Sequence, residues 1–249
     1  MNDLPLIISA LDFAAHAHSD QRRKGANSTP YINHAIALAQ ILTVEGGVLD
    51  PAVIAAALLH DTVEDCDVLP THIAQLFGQA VADVVSEVTD DKALPKATRK
   101  ELQVEHAPHV SPRAKLVKLA DKIANVRDLG QCPPADWSEE RQHEYAHWAK
   151  RVVAGLRGTH PALEAAFDDA YAFVVGAAPE IQQAAAAWIA GSIEVVEGRN
   201  RLFTECGIPA SMKPEYFVVD YAPKHLQTEI RRQKAEIERR DQSMAPGKS

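Results

Sequence analysis

Over most of the first 175 residues, apolar positions recur at three- and four-residue intervals, the period of a helix with one buried face. The clearest face joins Leu116, Leu119, Ala120, Ile123, Val126 and Leu129. Start signals stand where such runs begin. Asp50-Pro51 precedes AVIAAALLHDTVED, which reads as one helical register running through the acids. Ser111-Pro112 precedes RAKLVKLADKIANVRDL, and Ser138 precedes EERQHEYAHWAKRVVAGLRG. Gly158 is the predicted stop of that third helix, Pro161 opens PALEAAFDDAYAFVV, and Pro179 opens an Ala-rich helical segment ending near Gly198. Strand-like alternation is confined to YFVVDY at Tyr216–Tyr221. The expected fold class is all-α, with loops near 20–33, 88–98, 106–112 and 130–137. A small-residue break at Gly176–Ala178, followed by Pro179, divides the chain into a domain over 1–175 and a mostly helical C-terminal extension over 176–249. The extension reads as a lobe covering apolar surface, in preference to an oligomerisation arm or lid. Its last nine residues read as disordered.

Composition narrows the class. The 249 residues are 46% hydrophobic and 24% charged, which excludes a disordered or collagen-like chain. The net charge of -8 disfavours a nucleic-acid-coating protein. Cys66, Cys132 and Cys206 are odd in number, far apart and in no CxxC pair. They argue against a disulfide framework and for a reducing, cytoplasmic setting. The N-terminal stretch lacks a basic n-region and does not read as a signal peptide, and no apolar run is long enough to predict a membrane span.

Candidate chemistry begins at HDTVED. In one helical register His60 and Glu64 are neighbours, as are Asp61 and Asp65. Four ionisable residues at the end of an apolar helix are costly to pack without a partner, and a divalent cation is such a partner. A solvated acidic helix end is the plainer alternative. His34 opens the amphipathic HAIALAQIL. Asp121 and Asn125 form a polar i,i+4 pair on a strongly periodic helix, facing either solvent or a site. Two imidazoles with two carboxylates suit Mn²⁺, Fe²⁺ or Zn²⁺. From Lys92 to Arg127 nine Lys/Arg face three Asp/Glu, a local balance of +6 that suits an anionic ligand despite the acidic average. Lys115, Lys118 and Lys122 recur at helical spacing there, as phosphate contacts or as a solvated face.

The order His34, His60-Asp61, Asp121 resembles that of the HD-domain phosphohydrolases. TPYINHAIALAQIL, AALLHDTVEDCD, FGQAVADVVSEVTDDKALPK and APHVSPRAKLVKLADKIANVRDL resemble the (p)ppGpp hydrolase domain of the RelA/SpoT family, above all its small stand-alone alarmone hydrolases of the metazoan SpoT homologue type. The resemblance spans about residues 5–175 and leaves little room for a nucleotide-synthetase domain. It implies an HD-domain helical bundle over 1–175. It implies one Mn²⁺ held by His34, His60, Asp61 and Asp121, with Glu64 and Asp65 handling the attacking water. It further implies that Arg23, Lys24 and Asn125 face a nucleotide, with Tyr31, Lys96 and Tyr145 as further contacts. Tyr145 also reads as a core residue with its hydroxyl satisfied.

The implied activity is hydrolysis of the 3′-pyrophosphate of ppGpp or pppGpp, giving GDP or GTP and pyrophosphate. The same site is compatible with (p)ppApp or with removal of the 2′-phosphate of NADPH. A non-catalytic alarmone-binding protein would show a defect in the metal set or the carboxylate pair, and all those residues are present. A small nucleotide is the implied partner, with neither nucleic acid nor membrane. Three features depart from the long family members. The RRKGANSTPYINH loop is longer, Asp128 stands where several carry a hydroxyl residue, and residues 176–249 match no known pattern.

Overall fold

The computed structural model describes residues 3–24, 28–176 and 229–233. The chain divides into two units, Met1–Val174 and Val175–Ser249. The first carries α1 (Leu4–Ala17), α2 (Ile32–Gln40) running into a π-helical turn (Ile41–Glu45), α3 (Pro51–Leu59), α4 (Thr62–Asp65), α5 (Pro70–Phe77), α6 (Gln79–Val88), α7 (Lys96–His106), α8 (Pro112–Gln131), α9 (Glu139–Ala154) and α10 (Pro161–Val175). The only β pairing among the described residues is an isolated bridge between Arg22 and Pro30. The class is all-α, as its periodicity predicts. The Ala-rich segment after Pro179, YFVVDY and the terminal nine residues lie outside the described residues.

α3 organises the bundle. Every residue from Ala52 to Leu59 is buried, so the helix is apolar on all faces and must be surrounded. α1, α2, α6 and α8 pack around it. Ala52, Ala55, Ala56 and Ala57 keep its surface low and let those neighbours approach, while Val53, Leu58 and Leu59 fill the gaps between them. Leu59 is fully buried, and its truncation to alanine would cost about 2–5 kcal/mol. Asp50 caps the N-terminus by accepting from the Ala52 amide at 3.0 Å.

The opposite end of α3 corrects the single register expected through HDTVED. The helix stops at Leu59, His60-Asp61 form a turn, and α4 restarts at Thr62. Two side chains produce the break. Thr62 Oγ1 donates to the Leu59 carbonyl at 2.7 Å, and His60 Nδ1 lies 2.9 Å from the Ala57 carbonyl. Both take over carbonyls that a continuing helix would use. The Asp65 amide still reaches the Asp61 carbonyl, so the acids stay within one turn of each other.

α8 is capped by Ser111, whose hydroxyl accepts from the Ala114 amide at 3.2 Å. Its apolar face packs on α3 and α6. α9 starts at its Ser138 cap but ends at Ala154, four residues before the predicted stop. Gly155 lies so close to the chain before α8 that a Cβ there would sit 2.9 Å from Ala107 Cβ and Pro108 Cδ. The predicted stop, Gly158, instead closes the connection to α10 with φ +82°, a conformation that suits glycine.

Candidate active site

Three helices bring the candidate ligands together. His34 sits in the first turn of α2, His60 follows the end of α3, and Asp121 lies midway along α8. One donor atom from each falls within 4.8 Å of the others, and all three residues are wholly or largely buried. His34 Nε2 is 3.2 Å from Asp121 Oδ1, and the two imidazole centroids are 5.3 Å apart. Asp61 belongs to the same locality by another contact: its Oδ2 is 2.8 Å from His60 Nε2 and accepts the Tyr31 hydroxyl at 2.5 Å.

Burial makes this set unusual. His60 donates through Nδ1 to the Ala57 carbonyl, which leaves Nε2 directed at the acids. His34 Nδ1 is buried and has no hydrogen-bond partner. The polar contact of this ring is through Nε2 to Asp121. Burial pulls the His34 imidazole down, towards the neutral form that a metal requires. Burial also opposes charge on His60, but the adjoining Asp61 carboxylate more than offsets it and pushes the group up to about 9. Asp121 is disfavoured as an anion by burial, yet Lys122 and His34 hold it well below the usual carboxylate range. The cluster is therefore a dense, charged set in a dry place. Its nitrogen and oxygen donors fit a borderline divalent cation, and no thiolate is among them.

Cations surround it. Lys122 Nζ donates to Asp121 Oδ2 at 2.8 Å and lies 4.7 Å from the Trp148 ring centroid. Asn125 Nδ2 donates to Asp121 Oδ1 at 2.5 Å, while its Oδ1 accepts Arg23 Nη2 at 2.8 Å. Arg23 also reaches Asp128 Oδ2 at 2.7 Å and lies over the Tyr31 ring. Lys118 and Lys122 are only 7% and 5% exposed, so the solvated-face reading fails for both. Periodicity alone could not reveal that, because a long lysine stem packs on apolar surface as readily as it reaches water.

The carboxylates of Glu64 and Asp65, on α4 just after His60-Asp61, are held by one segment. Glu64 Oε2 accepts the Asp90 amide at 3.2 Å and Oε1 accepts Arg99 Nη1 at 3.3 Å. Lys92 Nζ bonds Asp65 Oδ1, and Gln21 Nε2 donates to the Asp65 carbonyl at 2.8 Å. Burial pushes the Glu64 carboxyl up, and the Asp90 amide only partly opposes it.

Tyr145 lies between Trp137 and Trp148, with Lys100 Nζ 5.2 Å from its centroid. Burial pushes its phenol up to about 12. Lys24 and Lys96 are exposed, and no hydrogen bond or ion pair joins either to His34, His60, Asp61 or Asp121. Arg99, Lys92, Gln21 and Trp148 were not singled out from the sequence. Arg99 and Lys92 do lie in the +6 stretch, and Trp137, Tyr145 and Trp148 form an aromatic group that spacing alone could have flagged.

A buried His–His–Asp set where α2, the end of α3 and α8 meet is a candidate site for a divalent metal, with Lys122 and Asn125 on Asp121 and Arg23 on Asn125. The family model for the HD domain matches residues 10–158, and the chain belongs to that family. Within it, the chain is similar to the guanosine-3′,5′-bis(diphosphate) 3′-pyrophosphohydrolase MESH1 of Xenopus tropicalis. Identity is 57% over 167 residues, covering 67% of this chain and 93% of that protein. The MESH1 of Homo sapiens is 58% identical over 160 residues, covering 64% of this chain and 89% of its own length. A solved structure of a metazoan ortholog of SpoT that hydrolyzes ppGpp and plays a role in starvation responses superposes with a TM-score of 0.65. It is 48% identical, over 67% of this chain and 93% of that one. The likeness to stand-alone alarmone hydrolases seen in the sequence strings is upheld. No helix among the described residues is long and apolar enough to cross a membrane.

Proposed function

We propose that this chain is a Mn²⁺-dependent hydrolase that removes the 3′-pyrophosphate of ppGpp or pppGpp, giving GDP or GTP and pyrophosphate. The observation that carries the reading is the convergence of His34, His60 and Asp121, with ligand atoms within 4.8 Å of one another, and Glu64 and Asp65 on the short helix that follows His60-Asp61. The likeness to MESH1 supports the substrate. Residues His34, His60, Asp61 and Asp121 would hold the ion. When bound, a divalent cation lowers the pKa of water and neutralises phosphate charge.

The remaining work falls to side chains. Glu64 and Asp65 orient the water and take its proton. The water oxygen bonds to the phosphorus attached to the ribose 3′-oxygen. The bond from that phosphorus to the 3′-oxygen breaks, and the 3′-oxygen leaves as a hydroxyl by taking up the proton that the carboxylate received from the water. Arg23 and Lys24 meet phosphate charge, and Asn125 holds Arg23 in place. Tyr31 stays protonated, because burial and the Asp61 charge both push its phenol up, and it steadies Asp61 as a donor. Lys96 and Tyr145 contribute at the nucleotide side. Residues 1–175 form the catalytic domain and 176–249 an extension. The chain acts on a small nucleotide in the cytoplasm, in keeping with its free Cys66 and Cys132.

The test is product analysis by chromatography with ppGpp, ppApp and NADPH under Mn²⁺. The highest kcat/KM is expected on ppGpp. A preference for ppApp or NADPH would keep the site and change the substrate, and three inert substrates would sink the reading.

A further inference from the structure

We propose that Arg99 is a positioning residue for the reaction: its guanidinium, carried on α7, fixes the carboxylate of Glu64 towards the metal cluster. The proposal rests on the reading of Glu64 as the group that handles the attacking water.

Both oxygens of Glu64 are engaged from one distant stretch of chain, Oε2 by the Asp90 amide and Oε1 by Arg99. The two supports are themselves linked. Gln103, one turn after Arg99, donates through Nε2 to Asp90 Oδ2 at 2.6 Å and so fastens the residue whose amide holds Glu64. α7 therefore reaches the same carboxylate twice, once directly and once through the loop before it.

Behind this clasp lies a cavity of about 190 Å³, whose lining includes Asp90, Arg99, Gln103 and Lys118. Arg99 Nε and Gln103 Oε1 are buried there without a hydrogen-bond partner. Lys118 is 7% exposed, and no hydrogen bond or ion pair joins it to the described residues. Unpaired buried polar groups are costly, so an arrangement that keeps several together is a poor way merely to stabilise a fold. It does leave the guanidinium committed to Glu64 and to no competing protein acceptor. No hydrogen bond joins Arg99 to His34, His60 or Asp121, so it acts through Glu64.

The test compares the full chain with Arg99→Met, Arg99→Lys, Gln103→Leu and Glu64→Gln in Mn²⁺-dependent hydrolysis of ppGpp across pH. Arg99→Met is expected to lower kcat by about 10²-fold, within the range of acid–base contributions, with KM changed less than about threefold. The acid limb of its kcat profile should move to higher pH, because a cation that favours the carboxylate has gone. Arg99→Lys should recover much of the loss, and Gln103→Leu should show the same pattern more weakly. A raised KM with kcat retained would overturn the proposal in favour of direct phosphate contact. A lower kcat with an unmoved acid limb and no recovery in Arg99→Lys would reduce Arg99 to a fold element. Should Arg99→Met fail to fold, as read by its melting transition, Arg99→Lys and Gln103→Leu decide by the same limb. Glu64→Gln separates the two readings. Full activity in that variant removes the role of Glu64 itself. An inactive Glu64→Gln beside an Arg99→Met like the wild type removes only the proposal.

Discussion

Replacing Lys118 with methionine should make the protein more stable and less active. Lys118 is 7% exposed on α8 and lines the cavity behind Glu64. Its ammonium has lost most of its water without gaining a paired acid. Burial and the neighbouring Lys122 both pull its pKa down, and the charges of Asp90, Asp121 and Glu64 only partly oppose them. Methionine keeps the length and most of the volume of the stem while removing the charge. Exchange of buried charge for apolar side chains is commonly stabilising by about 1–4 kcal/mol. In a domain of this size each kcal/mol moves Tm by about 2–4 °C, so a rise of about 2–16 °C is expected. The pH dependence supplies the sharper check. With the folded pKa below the unfolded one, the unfolded chain binds more protons between the two values. The penalty is complete below the folded pKa and fades as pH rises towards the unfolded value. The advantage of Lys118→Met should therefore shrink as pH climbs through that alkaline window. Thermal melts of both proteins from neutral to alkaline pH measure it. A lower Tm for the variant, or a difference that stays flat with pH, would refute the view of Lys118 as an uncompensated charge.

The site sets four further outcomes. Mn²⁺ at 100-fold its Kd should stabilise the wild type by about 2.7 kcal/mol, read as a Tm rise, and His34→Ala should lose that rise. Because burial raises the Glu64 carboxyl, kcat should fall with decreasing pH on a limb above the ordinary glutamate range; a limb at or below that range in steady-state rates would contradict the assignment. The same shift makes Glu64 a stability cost once pH exceeds its folded pKa, so Glu64→Gln should melt higher than the wild type at neutral pH. Asp128 pairs with Arg23 but is 54% exposed, so solvent screens the pair to about 0.5–1 kcal/mol. Asp128→Asn should free Arg23 for phosphate and lower KM by about 2–5-fold with kcat nearly unchanged, and a raised KM would show that Asp128 serves to aim Arg23.

Much of the fold was legible because its signals are local. The Asp50 and Ser111 caps, the apolar run of α3 and the 3.6-residue face of α8 each speak for themselves. The candidate ligands were legible only as types, in an order that resembled a family. Their convergence depends on α2, α3 and α8 packing together, which no periodicity encodes. The break at His60-Asp61 was missed because it arises from side chains capturing carbonyls in a sequence whose propensities allow a helix throughout. The burial of Lys118 and Lys122 is undecided in the sequence because a lysine pattern looks the same on a wet face and around an anionic site. Arg99 was invisible as an individual for another reason: its partner, Glu64, lies 35 positions away.

The central claim is cleavage at the ribose 3′-oxygen by a metal site built on His34, His60 and Asp121. Its most direct test is product stoichiometry from ppGpp and Mn²⁺, resolved by chromatography for the wild type and Asp121→Asn. The wild type should give one GDP and one pyrophosphate per ppGpp, and the variant neither. Stepwise release of orthophosphate, or full activity in Asp121→Asn, would contradict it.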